Sequence, residues 1–388
     1  MAFVEVAANT LDDGVYEISN SLRCNGTDSY LTFTLGTPTS QRIATFSAWG
    51  KFNGQRAGSN DNSFWSFGDD YGQAMNVVRT AGTPQIYLDD SDGKNLSFNN
   101  GPNLRDTAAW YHFVVQIDTT QSTATNRMKW FINGTQLDNT TASHEASPDQ
   151  NYDIPGLASG QVMGISARAG SAHFIDGYIA EMIYLDGSIA APTNFGKVND
   201  NGVWVPKKPS GLTFGNNGAW LEFKQTGTSA NASGIGADTS GNGNHFAVNN
   251  LAAIDVCTDT PTNNFCTMNP LGMGGGTLAE GFLKETTDDN AGCPATFAVA
   301  NGKWYWEIEI TAGSNNHIGV ADADYYSLLA ASPNDYRITL YQPDGRVFNM
   351  GSTTQSGDSG RVYDTNDIMA IRLDLDSGTR TIKWYEDD

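Results

Sequence analysis

The sequence predicts an all-β chain built from two antiparallel β-sandwich domains joined by an extended connector. Short runs with period-two alternation recur along its length. Gly, Asn, Asp and Ser separate them, with 42 Gly in 388 residues. No amphipathic helical pattern longer than two turns interrupts the series. At about 150 residues per domain, this length suits two or three domains. Hydrophobic residues make up 39% and aromatics 11%, enough apolar material for packed cores.

The elements follow in order. Tyr30-Leu-Thr-Phe-Thr-Leu35 alternates, as does Ile43-Ala-Thr-Phe-Ser-Ala-Trp49, which places Ile43, Thr45, Ser47 and Trp49 on one face. Residues 110–117 are nearly all apolar or aromatic, the pattern of a strand buried on both sides. Residues 128–132 run into Asn133-Gly134, a dipeptide suited to a two-residue hairpin turn, and 135–137 return. Strands at 161–165 and 174–184 close a first domain over 1–190, and Ala191-Pro-Thr-Asn-Phe195 suggests a short helical turn.

Residues 191–276 read as a Gly/Asn-rich connector. Prolines extend 203–209, the stretch 226–250 looks too polar for a core, and 272–276 resembles a hinge. Strand patterns resume in the third region, 277–388, at 281–285, 302–310, 317–320, 337–341, 367–375 and 379–385. The chain stops at Asp388 inside a hairpin. That predicts about one or two further strands of ~5–6 residues to complete the second sandwich.

Charge excludes several function classes. Lys and Arg total 22 against 43 Asp and Glu, a net of −21, a field that repels nucleic acid and anionic membrane surfaces. No run of 18 apolar residues marks a membrane span, and the first residues lack a secretory leader pattern. Cys24, Cys257, Cys266 and Cys293 are too few and scattered for a disulfide framework, and none lies at zinc spacing. Cys257 and Cys266 could bridge if oxidised, but free thiols are expected.

Candidate chemistry is sparse. Glu307 and Glu309 share a strand face with Tyr305, opposite Trp304 and Trp306. Paired carboxylates can cleave glycosides, yet two Glu on an open face are expected to be solvated. Gly357-Asp-Ser-Gly360 spells a serine-protease nucleophile motif without the His and Asp that a triad needs. His112 reads as a hydrogen-bonded residue of a mostly apolar strand, and His144, His173, His245 and His317 lack motif partners. Asp69-Asp70 and Asp89-Asp-Ser-Asp-Gly93 offer oxygen ligands to calcium. No catalytic, cofactor-binding or metal-ligating residue is assigned, and calcium is the single cofactor kept open. Sequons at Asn25, Asn95, Asn133, Asn139 and Asn231 reflect a composition rich in Asn and Thr.

Asn20-Ser-Leu-Arg23, Phe46-Ser-Ala-Trp49, Asp106-Thr-Ala-Ala-Trp-Tyr-His112, Lys129-Trp-Phe-Ile-Asn-Gly134 and Phe174-Ile-Asp-Gly-Tyr-Ile-Ala-Glu181 resemble the laminin-G-like, concanavalin A-like jelly roll over residues 20–187. Gly302-Lys-Trp-Tyr-Trp-Glu-Ile-Glu309, His317-Ile-Gly-Val320 and the run 367–378 resemble a SPRY domain. Gly202-Val-Trp-Val-Pro-Lys-Lys208, Asp238-Thr-Ser-Gly-Asn-Gly-Asn244 and Thr258-Asp-Thr-Pro-Thr-Asn-Asn-Phe265 with Asn269-Pro-Leu271 resemble structural proteins of tailed, often marine, bacteriophages. That resemblance implies a non-enzymatic virion component (fibre, spike or head decoration) acting in display and host adhesion. The implied partners are other virion proteins, a host-surface glycan or protein, and further copies in a homo-oligomer, with neither nucleic acid nor membrane insertion. A polysaccharide depolymerase and a secreted glycan-binding lectin are the alternatives.

Overall fold

The computed structural model describes residues 16–52, 62–68, 75–80, 83–88, 96–98, 104, 106–137, 149–168, 173–273, 276–286, 293–312, 318–321, 338–341, 346–348, 355–358 and 363–386. The acidic loops at 69–70 and 89–93, His144, His317, Asn95, Asn139 and the last two residues of the Gly357–Gly360 motif lie outside them. Among the described residues the chain is all-β, and every pair of strands is antiparallel. It divides into two compact units.

The larger unit comprises residues 8–265 and 279–284. One sheet runs Thr135–Gln136, Met128–Ile132, Tyr111–Asp118, Ile43–Phe52, Asp176–Asp186, Ser21–Asn25, Val256–Cys257, with Ala219–Leu221 also pairing to Asp176–Asp186. A second runs Ala247–Asn249, Tyr30–Thr34, Val162–Ile165, Trp65–Phe67. Side chains from both meet in one core that includes Phe46, Trp65, Phe67, Phe113, Trp130, Ile165 and Tyr184. Phe46 stacks on Tyr184 at 4.7 Å and tilts against Phe67 at 4.7 Å. Such contacts add about 0.5–1.5 kcal/mol each beyond the buried area.

The first sheet is buried on its other face as well. Ala44, Phe46 and Ala48 enter the core between the sheets, while Trp49 belongs to an outer cluster with Ile18, Trp110, Tyr178 and Ala180. This explains why 110–117 carries apolar residues at successive positions.

Residues 191–265, read in the sequence as connector, are part of this unit. They supply the strands Ala219–Leu221, Ala247–Asn249 and Val256–Cys257, and they bury Leu221, Phe223, Ile235, Phe246 and Leu251 in the main core. Polar residues between those anchors close turns. Asp238 accepts from the backbone N–H groups of Trp220, Ser240 and Asn244, and Asn244 Nδ2 donates to the carbonyls of Asn216 and Gly218. Widely spaced apolar side chains therefore suffice to dock a polar segment, because its buried backbone groups find partners. The expected helical turn is a single 3-10 turn, Pro192–Asn194, with proline at its start. Trp204–Pro206, in the proline-extended stretch, pairs with Gly196–Val198.

The smaller unit includes residues 266–278 and 285–388. Lys303–Glu309, Ile368–Asp374 and Thr381–Glu386 form one sheet, and Ile318–Ala321, Ile338–Tyr341, Arg346–Phe348 and Gln355–Asp358 another. Met369, Ile371, Trp306, Ile308 and Trp384 pack with Ile318 and Val347, so the two sheets share a core. Trp384 also donates its indole N–H to the Ile318 carbonyl at 3.2 Å.

Candidate functional site

The hydrogen-bonding chemistry of the larger unit concentrates on the outer face of its first sheet. Ser47, Lys51 and His112 come from the central strands Ile43–Phe52 and Tyr111–Asp118 and are fully or almost fully buried. Segments from further along the chain cover them.

His112 stacks on Trp49 at 4.6 Å and on Trp204 at 6.0 Å. Trp204 Nε1–H donates to Nδ1 of His112 at 3.1 Å, so Nε2 of the neutral ring carries the proton and donates to Ser47 Oγ at 2.9 Å. Burial pushes the His112 pKa down to about 3. Both ring nitrogens are occupied, and Ser47 receives a proton instead of surrendering one, the reverse of a nucleophile–base pair. Trp204 reaches this position because Gly134 and Gly196 leave room for its ring. A Cβ at either would lie 2.5 Å from it. Gly134 also closes the Asn133-Gly134 turn, with φ of 48° at Asn133 and 75° at Gly134, as the hairpin signature required.

Lys51 has no exposed side-chain surface. Its ammonium donates to Asp259 Oδ2 at 2.9 Å, Asn264 Oδ1 at 2.9 Å and the Phe265 carbonyl at 2.7 Å. Asp259 Oδ1 accepts from Trp110 Nε1 at 3.0 Å and from the Phe265 N–H at 3.2 Å. Burial holds Asp259 above its ordinary pKa, while Lys51 pulls the other way. The pair is 208 residues apart in sequence, so no local motif announces it.

Glu181 occupies a bulge in Asp176–Asp186, where pairing with Ile43–Phe52 shifts register between Ala180 and Ile183. Its φ is 45°. The extra residue reverses the alternation, so Ile179, Met182 and Tyr184 all point into the core. Its carboxyl is buried and accepts the Tyr16 hydroxyl at 2.6 Å. Burial pushes its pKa up to about 8, against the opposing Tyr16 bond, and Glu222 raises it further.

The remaining candidates separate. Asp186 is buried and accepts from the backbone N–H groups of Thr39, Ser40 and Asn217. His245 Nδ1 accepts from the Asp238 N–H. His173 is half-buried with φ of 61°. The four cysteines are free thiols, and burial pushes Cys24 up to about 12 and Cys257 up to about 11, which disfavours a thiolate nucleophile. In the smaller unit Glu307 and Glu309 lie on the face opposite the core, and the Tyr305 hydroxyl donates to Glu307. Gly357 and Asp358 end a strand. Asn25 and Asn231 use Oδ1 to accept the backbone N–H groups of Thr27 and Ser233, and Asn133, in its hairpin turn, accepts the His112 N–H of the adjacent strand. These sequons therefore coincide with turn-forming asparagines. Among the described residues no three His, Cys, Asp or Glu side chains are grouped to hold a metal ion.

No family model and no curated protein sequence matches the chain. Among solved structures it is similar to tailspike protein 2 of an Escherichia coli bacteriophage, at 15% identity over 47% of this chain and 24% of that one, with a TM-score of 0.32. It is also similar to a proposed carbohydrate-binding protein of Bacteroides ovatus, at 12% identity over 61% of this chain and 59% of that one, TM-score 0.38. Domains LG4-5 of the mouse laminin α1 chain align at 8% identity over 96% of this chain and 77% of theirs, TM-score 0.34. The chain thus spans about a quarter of the tailspike's length. At these scores the similarities assign neither family nor function.

Proposed function

We propose that this chain is a non-enzymatic surface protein of a tailed-phage particle, present in repeated copies, that docks on other virion proteins and engages a host-surface glycan or protein. One observation carries the non-enzymatic part. Four titratable side chains buried in the larger unit are taken up by other protein groups: His112 at both nitrogens, Lys51 by three acceptors, and Asp186 and Asp238 by backbone N–H groups. Catalytic acids and bases need a proton path to substrate, and these groups face their own scaffold. The phage assignment is supported by the motifs at 202–208, 238–244 and 258–271.

Mass spectrometry of purified particles of the encoding phage tests the reading. The chain should appear at a copy number set by particle symmetry. Its presence in the lysate but not in particles would overturn the assignment. A glycan array run with and without calcium tests the adhesion component.

A further inference from the structure

We infer that Lys51 and Asn264 are the partners of an intramolecular isopeptide bond, formed by the protein itself with Asp259 as the proton carrier. This inference is independent of the phage reading, since it concerns only how three side chains of the larger unit meet.

Such a bond needs an amine held against a side-chain amide, a proton acceptor in reach of both, and surroundings that disfavour charge. Lys51 Nζ lies 2.9 Å from Asn264 Oδ1 and 2.9 Å from Asp259 Oδ2. Its other acceptor is the Phe265 carbonyl at 2.7 Å. Of these three acceptors, only the carboxylate can take a proton near neutral pH. The Asn264 amide is oriented by its Nδ2, which donates to the Ala108 carbonyl at 2.7 Å, so its oxygen faces the amine and its nitrogen faces away.

The setting is dry. Lys51 and Asp259 are 0% and 4% exposed at the side chain. The Tyr178 ring centroid lies 5.8 Å from Nζ, and the Trp110 indole is bound to Asp259. Burial raises the Asp259 pKa, in the sense that taking a proton from the Lys51 ammonium requires.

The step balances without a co-reactant. Asp259 takes one proton from the Lys51 ammonium, and the freed lone pair attacks Asn264 Cγ. The protonated Asp259 hydrogen-bonds Oδ1 as negative charge develops there. The adduct collapses as Asp259 passes this proton to Nδ2, which leaves the Ala108 carbonyl as Cγ becomes tetrahedral, and the Cγ–Nδ2 bond breaks to release ammonia. The regenerated carboxylate takes the second proton from Nζ as the amide forms and gives it to the ammonia, which leaves as ammonium. The departing nitrogen starts beside Ala108, which is half-buried. The product ties the central strand Ile43–Phe52 to the 259–265 segment, across 213 residues of chain.

The test is mass spectrometry of the full chain after denaturation and trypsin digestion. The bond predicts a molecule lighter than its sequence by one ammonia. Lys51 should resist cleavage, and peptide 43–56 should be joined to peptide 225–284. Lys51→Arg and Asp259→Asn should each restore the full mass and separate peptides. Circular dichroism and a cooperative melt would establish that each variant is folded. Wild-type protein of full mass, still cleaved after Lys51 upon prolonged incubation, overturns the inference. Loss of ammonia with Lys51 still cleavable would identify an asparagine succinimide and also overturn it. Loss of water with Lys51 joined to Asp259 would overturn the assignment of Asn264.

Discussion

Three acidic side chains of the larger unit and two of the smaller are used in opposite ways. In the larger one Asp186, Asp259 and Glu181 are buried at 1%, 3% and 3% exposure, and each accepts from named protein donors. In the smaller one Asp374 accepts from Ser377 in a solvent-facing turn, and Glu307 accepts from Tyr305 on a sheet face. Hydrogen bonds from Ser377 and Tyr305 hold these two carboxyls below their ordinary pKa values. A carboxylate in water keeps its charge at little cost, whereas a buried one must recover its lost hydration from protein donors. The larger unit therefore owes its coherence to polar groups as well as to its apolar core, and it should break where they are removed.

The largest effect is expected at the Lys51–Asp259 pair. Asp259→Ala blocks the inferred Lys51–Asn264 bond and leaves a buried ammonium short of its charged partner, so it should cost at least about 3–5 kcal/mol in denaturant unfolding. A loss below about 1 kcal/mol would mean that water replaces the carboxylate. Next comes pH. Glu181 has a folded pKa of about 8 against an ordinary 4.5, so between those values the folded state binds more protons than the unfolded one. Its contribution falls as pH rises from 4.5 to about 8 and then levels. His112 acts oppositely, because its folded pKa of about 3 lies below the ordinary 6.5. Stability is lost as pH drops from 6.5 toward 3. A melting temperature that peaks on the acid side of neutrality is expected. Glu181→Gln should flatten the alkaline limb by an amount on the order of a few kcal/mol. Tyr16, Trp220, Glu222 and Lys224 are the neighbours whose variants should modulate that limb.

A smaller loss is expected at Gly134. Alanine there meets the Trp204 ring and an unfavourable φ of 75°, and should cost about 1–3 kcal/mol. Smallest of all, Glu307→Gln in the smaller unit should leave the unfolding midpoint unchanged. If it shifts the midpoint as far as Asp259→Ala does, the contrast between the units fails.

Local pattern was legible in the sequence. Pattern located the central strands Ile43–Phe52, Tyr111–Asp118 and Met128–Ile132, and Asn133-Gly134 specified its turn, because both depend on neighbouring residues alone. The doubly buried strand at 110–117 was equally plain. Three features were not legible. The pairing of Lys51 with Asp259 depends on tertiary closure over 208 residues. The bulge at Glu181 interrupts a strand with a residue type that gives no bulge signal. The docking of 191–265 rests on isolated apolar residues such as Phe223, Ile235 and Phe246, which a windowed reading averages into their polar surroundings. Site candidates suffered from the same limit. Glu307 and Glu309 drew notice by sharing a strand, while the buried acceptor Asp186 lies in a stretch without a motif spelling.

The central claim is that the buried polar groups hold this sandwich together and cleave no glycan. Purified full-length protein incubated with extracted host-surface polysaccharide, assayed for new reducing ends, tests it most directly. The account predicts a reducing-end signal indistinguishable from the polysaccharide alone, whether or not the glycan is retained. A time-dependent release of reducing ends that Glu181→Gln or Glu307→Gln abolishes would contradict it.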